Sequence, residues 1–427
     1  MPSLIKNLEE RGFIYQISDP DLDTFLETNN TSCYAGFDPS AGSLTIGHLI
    51  PIIGLMHMQN SGNRPIAVVG GATGMIGDPS GKDQERSLLS IETLRQNEAA
   101  VKKQLSKFLD FDSKTCGALL VNNYDWTGNY KYLDFLRDIG KHFSVNAMIA
   151  KESVKIRLES RDQGISYTEF SYQILQAYDF HHLWKTYGCR IQIGGSDQWG
   201  NITAGIDLNR RLGGEQLYGI TFPLIMTADG KKIGKSEGNA IWLDENLTKP
   251  YVLYQYFIQA DDRDVVRFLK LYTFLSMKDI NDLEKCLEHE PEKREAQKVL
   301  AQEVTKLVHG ERGLRAAESA TRVLFGDEPI KNFDDDTLKA IFAETPSAWL
   351  PRNILTSGIT LVELCVVSGF CKSKGEARRL ITSGGLYCNN VRITEPDFMI
   401  TKDQLASKSI LILRSGKKRY FLIHLKD

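Results

Sequence analysis

Between about residue 30 and residue 225, short apolar runs that end near glycine or asparagine alternate with longer amphipathic stretches. The runs are CYAGF, PIAVVGG, ALLVNN and RIQIGG, and the stretches between them include 91–109 and 170–187. Runs this short and β-rich, separated by helical patterns, predict an open α/β sheet of parallel strands with ligands at the strands' carboxyl ends. Residues 250–324 read as nearly all helix, with apolar positions recurring at three and four. The stretch 326–352 holds three prolines and the acidic run 334–336, and reads as a linker. The remaining chain resumes with LVELCVVSGF, a basic helix and short strands ending in RYFLIHL. At 427 residues the chain exceeds what one core can organise. We therefore expect a sheet domain over 1–225, a helical domain over 226–325, a linker over 326–352 and a small α+β module over 353–427.

Charge is unevenly spread. Residues 351–427 carry 13 Lys and Arg against 6 Asp and Glu, a surplus of seven, whereas the rest of the chain has a deficit of nine. Such a tail is either a polyanion-binding module or an ordinary variation in surface composition. The N-terminus MPSLIKNLEERG has no apolar run of a secretory kind, and the apolar stretch 49–58 is broken by Pro51 and His57. Seven cysteines are scattered without a C-x-x-C pair, which fits reduced thiols in a cytoplasmic protein and gives no zinc or other metal site. No membrane partner is expected.

Two segments point to a nucleotide. After CYAGF and the loop DPSAGSL comes Thr45-Ile46-Gly47-His48 at the start of a helix, where free N–H groups and the dipole favour a phosphate. Gly47 lets a flat base approach, and His48 can donate to a charged oxygen. Far downstream, Lys232-Ile233-Gly234-Lys235-Ser236 sits on a glycine-rich loop whose lysines could grip a leaving pyrophosphate. In isolation the first is a helix-start histidine and the second a solvated turn. The run GGATGMIGDPSGK matches neither the dinucleotide fingerprint nor the P-loop, since its glycines are spaced G-x-x-G-x-x-G and Lys82 precedes Asp83.

The stretch SYTEFSYQILQAYDF puts Tyr172, Gln176 and Asp179 at i, i+4 and i+7, a polar stripe on one helical face amid apolar and aromatic neighbours. A buried stripe of this kind needs partners, and a ligand can supply them; otherwise the stripe faces solvent. At the end of CRIQI, the paired glycines and Asp197 of QIGGSDQWGN suit a ribose.

Together TIGH and KIGKS, in this order on an α/β frame, resemble the HIGH and KMSKS signatures of class I aminoacyl-tRNA synthetases. The segments from Tyr34 to about His309 are similar to those of the bacterial-type tyrosyl-tRNA synthetases. The resemblance implies a Rossmann-like catalytic domain, a helical anticodon-binding domain and a C-terminal RNA-binding module shared with a ribosomal small-subunit protein. It implies that L-tyrosine is activated with Mg2+-bound ATP and transferred to tRNA(Tyr) by a homodimer. By it, Asp179 and Tyr34 would hold the substrate phenol; Asp78, Tyr172 and Gln176 its ammonium; and Gln192 and Gln198 would lie along the adenylate. Gly36, Asp38, Ser40, Gly47, Gly195, Asp197 and Ile225 would line the ATP site. Thr45, His48, Lys82, Arg86, Lys232, Lys235 and Ser236 would stabilise the transition state, with no residue acting as nucleophile. Lys372, Lys374, Arg378, Arg379, Lys417, Lys418 and Arg419 would meet tRNA phosphates. Thr45 stands where the signature has its first histidine, and this departure is the one feature that favours a catalytically impaired RNA-binding relative. A tryptophanyl enzyme is the rival within the class.

Overall fold

The computed structural model describes residues 3–80, 89–151, 154–155, 158, 164–236, 239–325, 329–342, 345–355, 358–416 and 419–426. They form two compact units: 1–247 with 259–303, and 248–258 with 304–427.

The first unit is built on six strands, β1 (Gln16–Ile17), β2 (Ser32–Phe37), β3 (Arg64–Val69), β4 (Leu119–Asn122), β5 (Cys189–Gly195) and β6 (Tyr218–Phe222). Their order is β1-β6-β5-β2-β3-β4, parallel throughout except that the edge strand β1 runs antiparallel to β6. The four apolar runs of the sequence are β2 to β5; the short pair β1 and β6 was not singled out from the sequence. Strands β2 and β3 are apolar on both faces, as expected where helices cover both sides. The chain adds strands outward from β2 in one direction and then returns to add β5 on its other side. The sheet's switch point therefore lies between β2 and β5, where crossover loops diverge and leave a crevice.

Helices Leu49–Asn60, Ile91–Leu105, Tyr167–Tyr187 and Trp199–Arg211 cover the sheet. The Tyr167–Tyr187 helix is fixed at both ends. The Ser166 side chain accepts from Glu169 N at 3.1 Å, and Gly188 closes it in the left-handed region (φ 63°). Helices Asp262–Tyr272 and Met277–His289 also pack in this unit, where Asp264 accepts from Ala228 N at 2.6 Å and Arg11 donates to Thr273 O at 3.1 Å. A small ladder joins β7 (Lys235–Ser236) to β8 (Asn239–Ala240).

In the second unit the strands are β9 (Ser347–Pro351), β10 (Ile359–Thr360), β11 (Leu386–Cys388), β12 (Val391–Ile393), β13 (Met399–Ile400), β14 (Ile410–Ser415) and β15 (Arg419–Lys426). Five form a sheet in the order β12-β11-β14-β15-β9, and β10 pairs with β13. The β11–β12 hairpin turns on Asn389-Asn390, both at positive φ, which asparagine tolerates best after glycine. The stretch 326–352, expected as a linker, is instead part of this unit. Asp334 caps the helix Asp335–Ile341, Ser407 and Ser409 donate to Asp335, and β9 runs parallel to β15. Ile330, Leu338 and Phe342 share a core with Ile410, Ile412 and Leu422. Asp334 and Asp335, part of the acidic run that suggested a linker, are thus capping and bridging groups.

Candidate active site

The stripe on the Tyr167–Tyr187 helix faces the switch point. Asp179 is buried, and its carboxylate accepts from Asn123 Nδ2 at 2.9 Å and from Trp126 Nε1 at 2.8 Å. Burial raises its pKa to about 7, against the pull of those two donors. Tyr34, on β2, is equally buried, and its hydroxyl has no hydrogen-bond partner among the described residues. Burial, and then the Asp179 charge, push its ionisation well above the ordinary tyrosine range. Gln192, opposite Tyr34 on β5, is buried with Oε1 also unpartnered. Two buried polar atoms left unpaired on neighbouring strands are costly without a ligand.

A second cluster continues from the first. Tyr172 OH donates to Asp38 Oδ2 at 2.9 Å, Thr73 Oγ1 donates to Asp38 Oδ1 at 2.7 Å, and Asn123 Nδ2 also reaches Thr73 Oγ1 at 2.9 Å. Gln176 and Asn201 both donate to Gln198 Oε1 at 3.2 Å, Asn201 donates to Gln176 Oε1 at 3.0 Å, and Gln198 Nε2 donates to Asp78 Oδ2 at 2.6 Å. Asp38 and Asp78 thus make a negative, hydrogen-bonded wall suited to an ammonium. Asn123, Trp126, Thr73 and Asn201 were not identified from the sequence. Their one signal was position: Asn123 follows the carboxyl end of β4, and Thr73 follows that of β3.

Of the nucleotide-end residues, Gly47, Gly195, Ile225 and Lys232 line a cavity of about 170 Å³, together with Leu224 and Ile233 among others. A Cβ on Gly195 would stand 2.5 Å from Asp197 Oδ1, so the glycine admits that carboxylate. Burial, then the Asp78 charge, raises the Asp197 pKa, and Lys232 opposes the rise. Gly36 faces open space, and Ser40 N donates to Asp38 O at 2.8 Å. The two signature segments are knit by backbone: Thr45 bridges Trp242, Ile46 N donates to Ile241 O at 3.1 Å, and Ile241 N donates to Gly234 O at 2.8 Å. Gly234, at φ +90°, packs against Ile46, where a side chain would be strained.

Lys82, Arg86, Lys417 and Lys418 lie outside the described residues, as do the side chains of Lys235 and Ser236. In the second unit Arg378 and Arg379 are exposed on the helix Lys374–Thr382 and Lys372 just before it. Lys374 is paired with Glu363 at 3.0 Å, and Arg419 turns onto the Phe370 ring at 5.1 Å. A larger cavity of about 280 Å³, lined by His142, Lys151 and Asp207 among others, includes none of the residues singled out from the sequence.

A switch-point pocket next to a nucleotide end stitched from two distant lysine and histidine signatures defines the class I tRNA synthetase architecture. The chain belongs to that class, in the family of the tryptophan and tyrosine enzymes, whose model matches residues 26–326. A second model, the C-terminal domain of tyrosine–tRNA ligases, matches residues 337–423. The tyrosine–tRNA ligase of Rhodopirellula baltica is 48% identical over 427 residues, covering 100% of this chain and 97% of that one. That of Geobacillus stearothermophilus is 49% identical over 423 residues, covering 98% and 99%. Among solved structures, a C-terminally truncated mitochondrial tyrosyl-tRNA synthetase from Aspergillus nidulans superposes with a TM-score of 0.69 at 31% identity, over 76% of this chain and 95% of that one. A tyrosyl-tRNA synthetase from Archaeoglobus fulgidus, at 16% identity and TM-score 0.55 over 73% and 99%, shares the fold.

Proposed function

We propose that the protein is a tyrosine–tRNA ligase, which activates L-tyrosine with ATP and transfers it to tRNA(Tyr). The observation that carries the substrate choice is the unpartnered Tyr34 hydroxyl beside the buried Asp179 carboxylate. A phenol both donates and accepts, so it satisfies Asp179 and Tyr34 together. An indole N–H only donates, and a phenyl ring does neither. Asp78, Tyr172 and Gln176 hold the ammonium, and Gln192 and Gln198 flank the acyl phosphate.

In the first step a tyrosine carboxylate oxygen bonds to the α-phosphorus of ATP, and the bond to the bridging β-phosphate oxygen breaks. Pyrophosphate leaves with the Mg2+ that ATP brought. In the second, a ribose hydroxyl of the tRNA 3′ end bonds to the acyl carbon, the bond from that carbon to the phosphate oxygen breaks, and AMP leaves with the hydroxyl's proton taken up by its phosphate. Catalysis is positioning and charge stabilisation: His48, Thr45, Lys82, Arg86, Lys232 and Lys235 meet the charge that develops on the phosphates, while Asp38, Gly47, Gly195, Asp197 and Ile225 cradle the nucleoside.

The helical segment 226–325 and the module 353–427 bind tRNA, the latter through Lys372, Arg378 and Arg379. The protein acts in the cytoplasm; all seven cysteines are unpaired, and no described helix is long and apolar enough to cross a membrane. It works as a homodimer. Exposed Tyr132 (63%), Leu133 (75%), Val145 (58%) and Tyr167 (63%) support this, since a second copy would bury them.

The test is ATP–pyrophosphate exchange with tyrosine, tryptophan or phenylalanine, followed by tRNA charging. Exchange driven by tyrosine alone is expected; exchange driven by tryptophan, or none, overturns the proposal.

A further inference from the structure

A tryptophan on a strand normally turns most of its large apolar area into a core. Trp349, on β9, does not, and 59% of it is exposed. Its neighbour Leu350 enters the core that also holds Ile381 of the basic helix Lys374–Thr382. Strand alternation therefore puts Trp349 on the opposite face of the sheet, at the β9 edge. Its register partner on β15 is the buried His424, and the two rings stack at 4.5 Å and 21°. The imidazole fixes the indole from one side and leaves the other to solvent. Cations gather around this stack. Burial lowers the His424 pKa, the Lys339 charge lowers it further and Asp335 opposes, which sets Lys339 close by. Lys426 lies two residues beyond His424 on the same face, opposite Pro351. Arg352 Nη2 donates to Lys408 O at 3.3 Å, and Leu425 N donates to Ser409 O at 2.8 Å, so Lys408 stands at the same end of β9 and β15. All three lysines are exposed, whereas Asp335 is engaged by Ser407 and Ser409.

On the reading that this protein charges tRNA, we infer that Trp349 stacks against an unpaired base of the tRNA, with Lys339, Lys408 and Lys426 meeting the phosphates beside it. A flat ring held open among exposed lysines is the combination that takes single-stranded nucleic acid: the ring receives a base and the cations follow the backbone. Because His424 already orients the indole, binding does not have to order it. This contact is separate from Lys372, Arg378 and Arg379, which belong with the helix on the other face of the sheet. It also differs from them in kind. Stacking releases no counterions, so its share of the affinity persists as salt rises, while the share from the lysines falls.

The experiment measures binding of a tRNA(Tyr) transcript to the full-length protein across a salt series, as wild type, Trp349→Leu, Trp349→Tyr and Lys426→Gln. Leucine keeps an apolar side chain without a flat π-face, and tyrosine keeps the π-face. Trp349→Leu is expected to bind about 5- to 150-fold more weakly at every salt concentration with an unchanged slope of log Kd against log salt, and Trp349→Tyr to recover most of that loss. Lys426→Gln should instead reduce the slope by about one. Tryptophan emission gives a second readout: tRNA should quench it in the wild type, and the quenching should shrink in Trp349→Tyr. Undiminished binding by Trp349→Leu, an equal loss in the leucine and tyrosine variants, or unchanged quenching in Trp349→Tyr overturns the inference. So does a smaller sedimentation coefficient for Trp349→Leu without tRNA, which would make Trp349 a contact between copies of the protein. A wild type that neither activates tyrosine nor charges tRNA strikes the proposed function; one that does both, beside a Trp349→Leu that binds as tightly, strikes the stacking alone.

Discussion

Tyr34→Phe separates a ligand-binding hydroxyl from a structural one. In the free protein the Tyr34 hydroxyl is buried and makes no hydrogen bond, while its ring packs edge-on against Phe180 at 5.2 Å. Phenylalanine keeps the ring and deletes the unpaired oxygen. Folding therefore loses no hydrogen bond and sheds a group whose unsatisfied burial costs about 1–3 kcal/mol. In the tyrosine complex the effect reverses, because the substrate phenol loses one of its two partners, again about 1–3 kcal/mol. At 1.4 kcal/mol per tenfold, selectivity for tyrosine over phenylalanine should fall about 5- to 150-fold. The assay is kcat/KM in ATP–pyrophosphate exchange for both amino acids, with urea unfolding of the free protein alongside. Stability that holds or rises while selectivity falls is the expected pair of results. Unchanged selectivity, or a variant markedly less stable with selectivity intact, refutes the assignment.

Burial holds the Asp179 carboxyl at about 7, well above an unfolded aspartate near ~3.9, so the folded state binds the extra proton between them. This group's contribution therefore lowers stability as pH rises from about 4 to about 7, and urea midpoints for Asp179→Asn should show a flatter slope across that window. Lys235→Ala should slow adenylation severely with little change in equilibrium tyrosine binding; binding that weakens as much as the rate falls would count against a transition-state role. A chain ended at Phe325 should stay soluble and form adenylate but charge tRNA poorly. One ended at Pro351 should aggregate, because β9 loses β15 and Ile330, Leu338 and Phe342 lose their core partners; scattering and single-turnover assays check both.

The candidate site was legible in the sequence where local periodicity and burial coincide. Tyr172, Gln176 and Asp179 share a face by helical spacing alone, and β2 and β3 are legible because strands covered on both sides are apolar on both sides. What the sequence could not carry were pairings made by tertiary folding. Asn123 and Trp126 reach Asp179 from 56 and 53 residues away, and nothing in the local pattern of ALLVNNYDW assigns their side chains to that carboxylate. The stretch 326–352 was misjudged for a related reason. Prolines and aspartates mark turns, but only the distant Ser407, Ser409 and β15 reveal that these turns belong to a folded unit.

The backbone stitch between Ile46 and Ile241 also sets an order of assembly. Every protein donor to the tyrosine pocket up to Asn201 is synthesised forty residues before Ile241. At about 5–20 residues per second, that leaves roughly 2–8 s in which a nascent chain holds the amino-acid end without the nucleotide end. Closing so long a loop is entropically slow and comes after local contacts have formed. The amides of Ile46 and Leu243, bonded to Ile241 and Leu44, should therefore gain hydrogen-exchange protection after those of β2 to β6, and a chain stalled before them should hold a folded sheet without making adenylate.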